Sequence, residues 1–181
     1  MTDTPYLRAY LSGYADGEGC FCVTFTKSRR YKNGWDIRPS FSVSQNADRA
    51  EVLLMFQQLF GCGAIRPDRS DKTIKYETRS ISDIALKIIP HFQQYPLLSG
   101  KRREFESFAA IVQLLYEGKH LTPDGFAAVL VLASALNAGS KKRYVREEIG
   151  SDIGLADKGI VYAAGNSDAH EVPACTKGVT T

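Results

Sequence analysis

The chain is predicted to be an α+β domain, and three features of the sequence carry that prediction. Apolar residues recur at helical spacing in 6–16 and 48–60. They alternate at strand spacing in 20–28 and 37–44, and again more briefly in 64–66 and 73–81. Glycine, proline or Asn-Gly signals separate these segments. The expected order is helix, strand, strand, helix, strand, strand, helix, helix, helix in one domain over residues 1–144, with 145–181 as a weakly structured tail. A length of 181 residues, 24% charged and 44% hydrophobic, suits one such domain and excludes collagen-like, disordered and disulfide-scaffold classes.

The first helix opens at Thr4-Pro5, an N-cap followed by proline at the first helical position, and Gly17 and Gly19 are expected to stop it. Leu7, Leu11 and Tyr14 form an apolar stripe, and Ala9, Ser12 and Gly13 form a second stripe of small residues that admits another helix closely. The segment CFCVTFTKS is a strand, Asn33-Gly34 a hairpin turn, and IRPSFSVS the returning strand, whose Pro39 points to an edge or a bulge. The hairpin has one apolar face and one polar, basic face. A helix over 48–60 ends at Gly61, and a shorter hairpin follows, with Lys75, Glu77 and Arg79 on one face by alternation. Ser82-Asp83 is expected to cap a third helix that Pro90 kinks or splits, Ser99 to open a fourth that ends at Gly118, and Thr122-Pro123 to open a nearly all-apolar fifth.

Net charge is +3, but it is uneven: residues 145–181 carry −3 and residues 1–144 carry +6. An excess of that size on one domain suits a polyanion such as nucleic acid, or a merely solvated surface. No apolar run is long enough to span a membrane, and the N-terminus lacks a signal-peptide pattern, so the protein is expected to be intracellular, in an organelle or a bacterial cytoplasm. Cys20 and Cys22, expected on alternate faces of a strand, and the isolated Cys62 and Cys175 read as reduced thiols, because His91, His120 and His170 lie too far off in sequence for zinc-site spacing.

The most informative stretch is Leu11-Ser-Gly-Tyr-Ala-Asp-Gly-Glu-Gly19, which sets two acids, Asp16 and Glu18, at a helix C-terminus. Acids are disfavoured at that end of the helix dipole, so they call for a compensating cation or donor. A divalent metal answers that need, as does a turn acid bonded to nearby backbone. The nonapeptide resembles the signature of the LAGLIDADG homing endonucleases. The resemblance continues to about Tyr144 through the first hairpin, Ser44, Gln45 and Arg49, the Phe-Gly-Cys-Gly ahead of the second hairpin, and Pro96-Leu-Leu-Ser-Gly-Lys101 before a helix.

The resemblance implies a fold with an αββαββα core, extra C-terminal helices and a four-stranded antiparallel DNA-binding saddle. It implies that Glu18, where the family usually has aspartate, ligates a divalent metal with help from the Gly17 carbonyl, and that Asp16 ties down the turn. Mg²⁺, with Mn²⁺ as a substitute, suits such an oxygen site. Gln45 and Lys101 match positions that order solvent and stabilise charge around the metal, and Arg49 a nearby basic position. Read on residue type alone, Gln45 equally caps the next helix, and Lys101 and Arg49 are surface cations.

A single motif implies half an active site. The face of Ala9, Ser12, Gly13 and Asp16 is expected to pack on a second copy, giving a homodimer on a roughly palindromic duplex. Candidate DNA contacts are Thr24, Thr26, Ser28, Arg29, Arg30, Lys32, Arg38, Ser40 and Ser42 from the first hairpin. Arg66, Lys75, Glu77 and Arg79 from the second add to them, with Lys141 and Lys142 beyond the fifth helix. The expected activity is a site-specific, metal-dependent double-strand break with 3′ overhangs that promotes mobility of an intron rather than an intein, since no splicing sequence is seen. The alternative is a non-catalytic intron RNA maturase or a DNA-binding regulator on the same fold.

Overall fold

A computed structural model describes residues 4–68 and 73–136. Thr4 caps helix α1 (Pro5–Glu18), its hydroxyl accepting from the Leu7 N–H at 3.2 Å. Gly17 does not end this helix; it lies in the last turn, and the chain leaves at Gly19 with φ −73° and ψ 149°. What requires glycine there is space, because a Cβ on Gly19 would stand 2.5 Å from the Ala15 carbonyl oxygen. Strand β1 (Gly19–Lys27) therefore begins with no intervening loop, and the last residues of α1 are fixed to the start of the sheet.

Strand β2 (Trp35–Asn46) pairs with all of β1, from Gly19 opposite Val43 to Lys27 opposite Trp35. The hairpin loop is thus 28–34, longer than a two-residue Asn-Gly turn. Gly34 closes it at φ +74°, and the Asn33 side chain accepts from the Trp35 N–H at 3.1 Å. After a 3₁₀ turn (Ala47–Arg49) comes α2 (Glu51–Phe60), ended by Gly61 at φ +57°. Strands β3 (Ala64–Pro67) and β4 (Thr73–Thr78) complete one antiparallel sheet in the order β1-β2-β4-β3. That order explains how Pro39 fits without a bulge. β4 covers β2 only from Phe41 to Asn46, so the first half of β2 is an edge where a missing N–H costs nothing.

β4 is shorter than expected because Ser80, not Ser82, caps the next helix, accepting from the Asp83 N–H at 3.2 Å. That helix runs as α3 (Ile81–Asp83), a π turn (Ile84–Ile88) and α4 (Ile89–Gln94). The widened turn lies just ahead of Pro90, which can neither donate to nor pack beneath the carbonyl four residues back. Helices α5 (Lys101–Tyr116) and α6 (Pro123–Leu136) finish the described chain, the second capped by Thr122 as expected.

Helices α1, α2, α4 and α5 pack on one face of the sheet, and α6 packs on α5. Phe21, Val23, Phe41, Val43 and Tyr76 point inward and meet Phe56, Phe60, Phe92, Phe105 and Phe108, all of them buried. Phe21 alone packs against four rings at 5.1 to 5.6 Å between centroids. By the ladder register the other face carries Cys20, Cys22, Thr24 and Thr26 beside Ser42, Ser40, Arg38 and Asp36. The two cysteines therefore share the outer face, being two residues apart on one strand. No described helix is long and apolar enough to cross a membrane.

Candidate functional site

The end of α1 treats its two acids differently. Asp16 accepts from the backbone N–H groups of Leu98 and Ser99 at 3.1 and 2.9 Å and from the Ser99 hydroxyl at 2.6 Å. Ser99 in turn accepts from the Lys101 N–H at 3.1 Å, so the entry to α5 is tied to the exit of α1. Partial burial pushes the Asp16 carboxyl up, but the Ser99 and Leu98 hydrogen bonds and the Lys101 charge outweigh it and leave its pKa below the ordinary value. Glu18, one half-turn on, is exposed and forms no hydrogen bond or ion pair among the described residues. No basic residue sits in the last turn of α1, so nothing in the helix itself offsets the negative end of its dipole.

Gln45 is brought to this end. Its amide donates to the Tyr14 hydroxyl of α1, and its carbonyl accepts from the Asn46 N–H at 2.7 Å. It does not cap α2, which begins at Glu51. Lys101 is mostly covered, pairs with Glu104 at 3.3 Å, and its charge reaches both Asp16 and Cys20, the residues on either side of Glu18. Arg49 is exposed and sits 3.8 Å from Asp48, a loose surface pair.

Among the described residues no three His, Cys, Asp or Glu side chains converge into a metal cage. The groups present still fit a hard divalent cation, which takes oxygen ligands, keeps several waters and needs only one or two carboxylates. A free Glu18 carboxylate beside the Gly17 carbonyl, at a helix end that attracts positive charge, is such a donor set, and one chain supplies one carboxylate of it.

The small-residue stripe of α1 divides. Ala9 and Gly13 are exposed, Gly13 and Gly17 would each accept a Cβ with nothing within 4 Å, and Tyr6 and Tyr10 flank them in solvent. Ser12 is not on that surface: it is buried and shares a 3.1 Å hydrogen bond with His91 Nε2 of α4. Asp16 is likewise engaged by its own chain. The face open to another helix is Tyr6, Ala9, Tyr10, Gly13 and Gly17, without the Ser12 and Asp16 expected on it.

On the outer sheet face, Thr24 and Thr26 of β1 and Ser40 of β2 stand where alternation puts them, and the Thr24 hydroxyl donates to the Arg38 carbonyl at 3.3 Å. Ser42 is 7% exposed between Cys20 and Glu77, which removes it from direct contact with a ligand. Lys75 pairs with Asp68 at 3.3 Å, Arg38 with Asp36 at 2.7 Å, and Arg79 with Glu77 at 2.9 Å. Arg79 lies just past the end of β4 rather than within it. The face is therefore polar but largely neutralised. Charge with no ion pair among the described residues gathers instead at Arg66 and around the first hairpin loop, where Arg29 and Lys32 line an open cleft of about 550 Å³ together with Ser28, Trp35 and Lys27, whose ammonium lies over the Trp35 ring. Arg30 sits in the same loop. Lys141 and Lys142, like residues 145–181, lie outside the described residues.

Three partners escaped the sequence reading. Ser99 holds Asp16, Tyr14 holds Gln45, and Asp36 holds Arg38. Only the last had a local signal, since Asp36 and Arg38 are two apart on one strand and so share a face.

Comparison with known proteins agrees with this geometry. The family model described as "LAGLIDADG endonuclease" matches residues 11–112. A "Probable intron-encoded endonuclease 2" of Neurospora crassa is 33% identical over 135 residues, covering 74% of this chain and 30% of that protein. The crystal structure of "a homing endonuclease, I-TnaI" superposes with a TM-score of 0.73 at 31% identity, covering 82% of this chain and 99% of that one. I-SmaMI "bound to uncleaved DNA target in the presence of Calcium ions" superposes at 0.71 and 26% identity, covering 82% of this chain and 48% of that one. The chain thus spans a quarter to a third of the first curated relatives it matches.

Proposed function

Because this chain belongs to the LAGLIDADG endonuclease family, we propose that it is a divalent-metal-dependent, site-specific DNA endonuclease that works as a homodimer on a roughly palindromic target, leaves 3′ overhangs and promotes intron mobility. The observation that carries the reading is the free Glu18 carboxylate, held at the junction of α1 and the sheet while its neighbour Asp16 is fully engaged. Relatives named as intron-encoded endonucleases and a DNA-bound structural neighbour support it.

In this reading Glu18 and the Gly17 carbonyl hold the cation. Mg²⁺ bound there supplies polarisation of the scissile phosphate and a more acidic water. Gln45, its amide held by Tyr14 of α1, orders solvent at this end of the helix. Lys101 adds positive charge where the phosphate carries negative charge. The exposed small face of α1 meets the same face of a second copy, which brings two Glu18 carboxylates to a two-fold axis, one for each strand of the duplex. The outer sheet face of each copy lies in the major groove, a width that admits a β-ribbon.

The test is incubation of the full chain with Mg²⁺ and a duplex spanning the uninterrupted insertion site of its intron. Double-strand cutting is expected for the native protein, and binding without cutting for Glu18→Gln. Binding without any cutting by the native protein, or tighter binding to intron RNA than to DNA, overturns the reading. A sedimentation mass of one subunit at working concentration removes the dimer.

A further inference from the structure

Two arginines, Arg38 on the outer face of β2 and Arg79 just past the end of β4, are held by their acids in the same way. Asp36 precedes Arg38 by two residues on β2, so the two share a face of the strand, and Glu77 near the end of β4 precedes Arg79 by two and is held by it directly. The Arg38 guanidinium gives its Nε and one Nη to Asp36 Oδ2 at 2.8 and 2.7 Å. Arg79 gives the same edge to the two oxygens of Glu77 at 2.9 and 3.2 Å. In both pairs the acid is sheltered and the arginine stands out: 17% against 63% exposed for Asp36 and Arg38, 15% against 64% for Glu77 and Arg79. Helix-surface pairs such as Arg102 with Glu106 expose both partners alike, at 59% and 56%.

An acid on a surface meant for a polyanion weakens binding to every sequence equally, so its presence there needs a reason other than affinity. The chemistry offers one. A guanidinium has five N–H donors in a rigid plane, and an acid that occupies the Nε edge leaves the two-pronged Nη end free and aimed outward. That end matches the O6 and N7 acceptors of guanine in the major groove. A long side chain already fixed in that pose loses less freedom on binding than a free one. It is also electrically cancelled by its acid, so it gains little from phosphates.

Resting on the DNA-binding reading above, we propose that Asp36 and Glu77 are positioning residues that hold Arg38 and Arg79 as guanine readers, so that each half-site carries guanine at two positions, while the unpaired cations Arg29, Arg30, Lys32 and Arg66 contact phosphate without regard to sequence. Glu77, expected from sequence to touch DNA itself, acts here through Arg79.

The experiment is selection by the full chain from a library of duplexes with randomised half-sites, followed by salt titration of binding to a random duplex. The native protein should enrich guanine at two positions per half-site by roughly tenfold over other bases, the usual discrimination of one bidentate contact. Asp36→Asn should lose that preference at one of them and bind random duplex more tightly, with a salt slope steeper by about one ion. Glu77→Gln should do the same at the other. Arg38→Lys, which keeps the charge but not the fork, should lose the same guanine with the salt slope unchanged. Uniform weakening on all sequences in the acid variants, or an unaltered base profile, overturns the proposal and leaves the nuclease reading intact. A native protein that binds no duplex overturns both.

Discussion

The two sides of the α1 C-terminus contrast sharply although only one residue separates their acids. On one side Asp16 is bound by two backbone N–H groups and a hydroxyl from the segment before α5. On the other Glu18 is exposed and uncommitted. The contrast teaches that an unfavourable charge at a helix end can be answered in two ways: by donors the fold supplies, which makes the acid structural, or by leaving it open for a cation from outside, which makes it chemical. Residue type alone offers the same two answers for both residues; the family resemblance separates them, and the approach of Leu98 and Ser99 supplies the donors that make Asp16 structural.

The largest effect expected from breaking this contrast is on cutting. Glu18→Gln should reduce double-strand cleavage by roughly a thousandfold or more, corresponding to several kcal/mol of transition-state charge stabilisation. Its melting temperature should stay that of the native protein, measured by circular dichroism alongside a plasmid-cutting assay. A parallel fall in stability would mean that Glu18 is a second structural acid.

The converse holds for Asp16. Asp16→Ala frees the Leu98 and Ser99 donors and should cost about 2 kcal/mol in urea unfolding, because hydrogen bonds to a charged group are stronger than average but these remain partly open to water. Cutting should fall only as far as α5 and Lys101 shift. The same tether predicts acid sensitivity. The folded-state pKa of Asp16 lies below its unfolded value, so its stabilisation is complete above the ordinary carboxylate range near pH 4 and is lost as pH falls through the lower, folded value. Unfolding free energy followed from pH 5 downward should drop more steeply in the native protein than in Asp16→Ala.

The smallest effect on the single chain concerns the exposed face of the same helix. A Cβ at Gly13 meets nothing within 4 Å, so Gly13→Ala should leave the subunit as stable or up to about 1 kcal/mol more stable by helix propensity. Gly13→Leu should be equally harmless to the subunit and should abolish self-association in sedimentation if that face meets its copy. Unchanged association would place the second copy elsewhere.

The order of elements was legible because each announces itself within a short window by its period and its flanking cap or glycine, although the boundaries moved by a residue or two at Gly17 and at Ser80. What the window hides is set by distant residues. Ser12 reads as one of three small residues on a docking stripe, yet its hydrogen bond to His91 spans 79 residues and turns it inward. Pro39 reads as either an edge or a bulge, and only the strand order decides for the edge. The basic character of the sheet face was overstated for a different reason. Arg38, Lys75 and Arg79 were counted as DNA contacts without their acids; Asp36 and Glu77 lie two residues from their arginines and were legible in the sequence, whereas Asp68 meets Lys75 only across the second hairpin.

The abrupt passage from α1 into β1 at Gly19 has a further consequence for how such a protein can change. With no loop between them, the helix end and the inner strand face form one rigid frame, held by Phe21, Phe41 and their ring contacts and closed by the Asp16 tether. Side chains on the opposite strand face contribute almost nothing to that frame. Thr24, Thr26 or Ser40 can therefore be rewritten one at a time with the position of Glu18 preserved. On the proposed DNA-cutting reading, a lineage whose target drifts can follow it by editing an exposed row of letters, while the blade stays where it was.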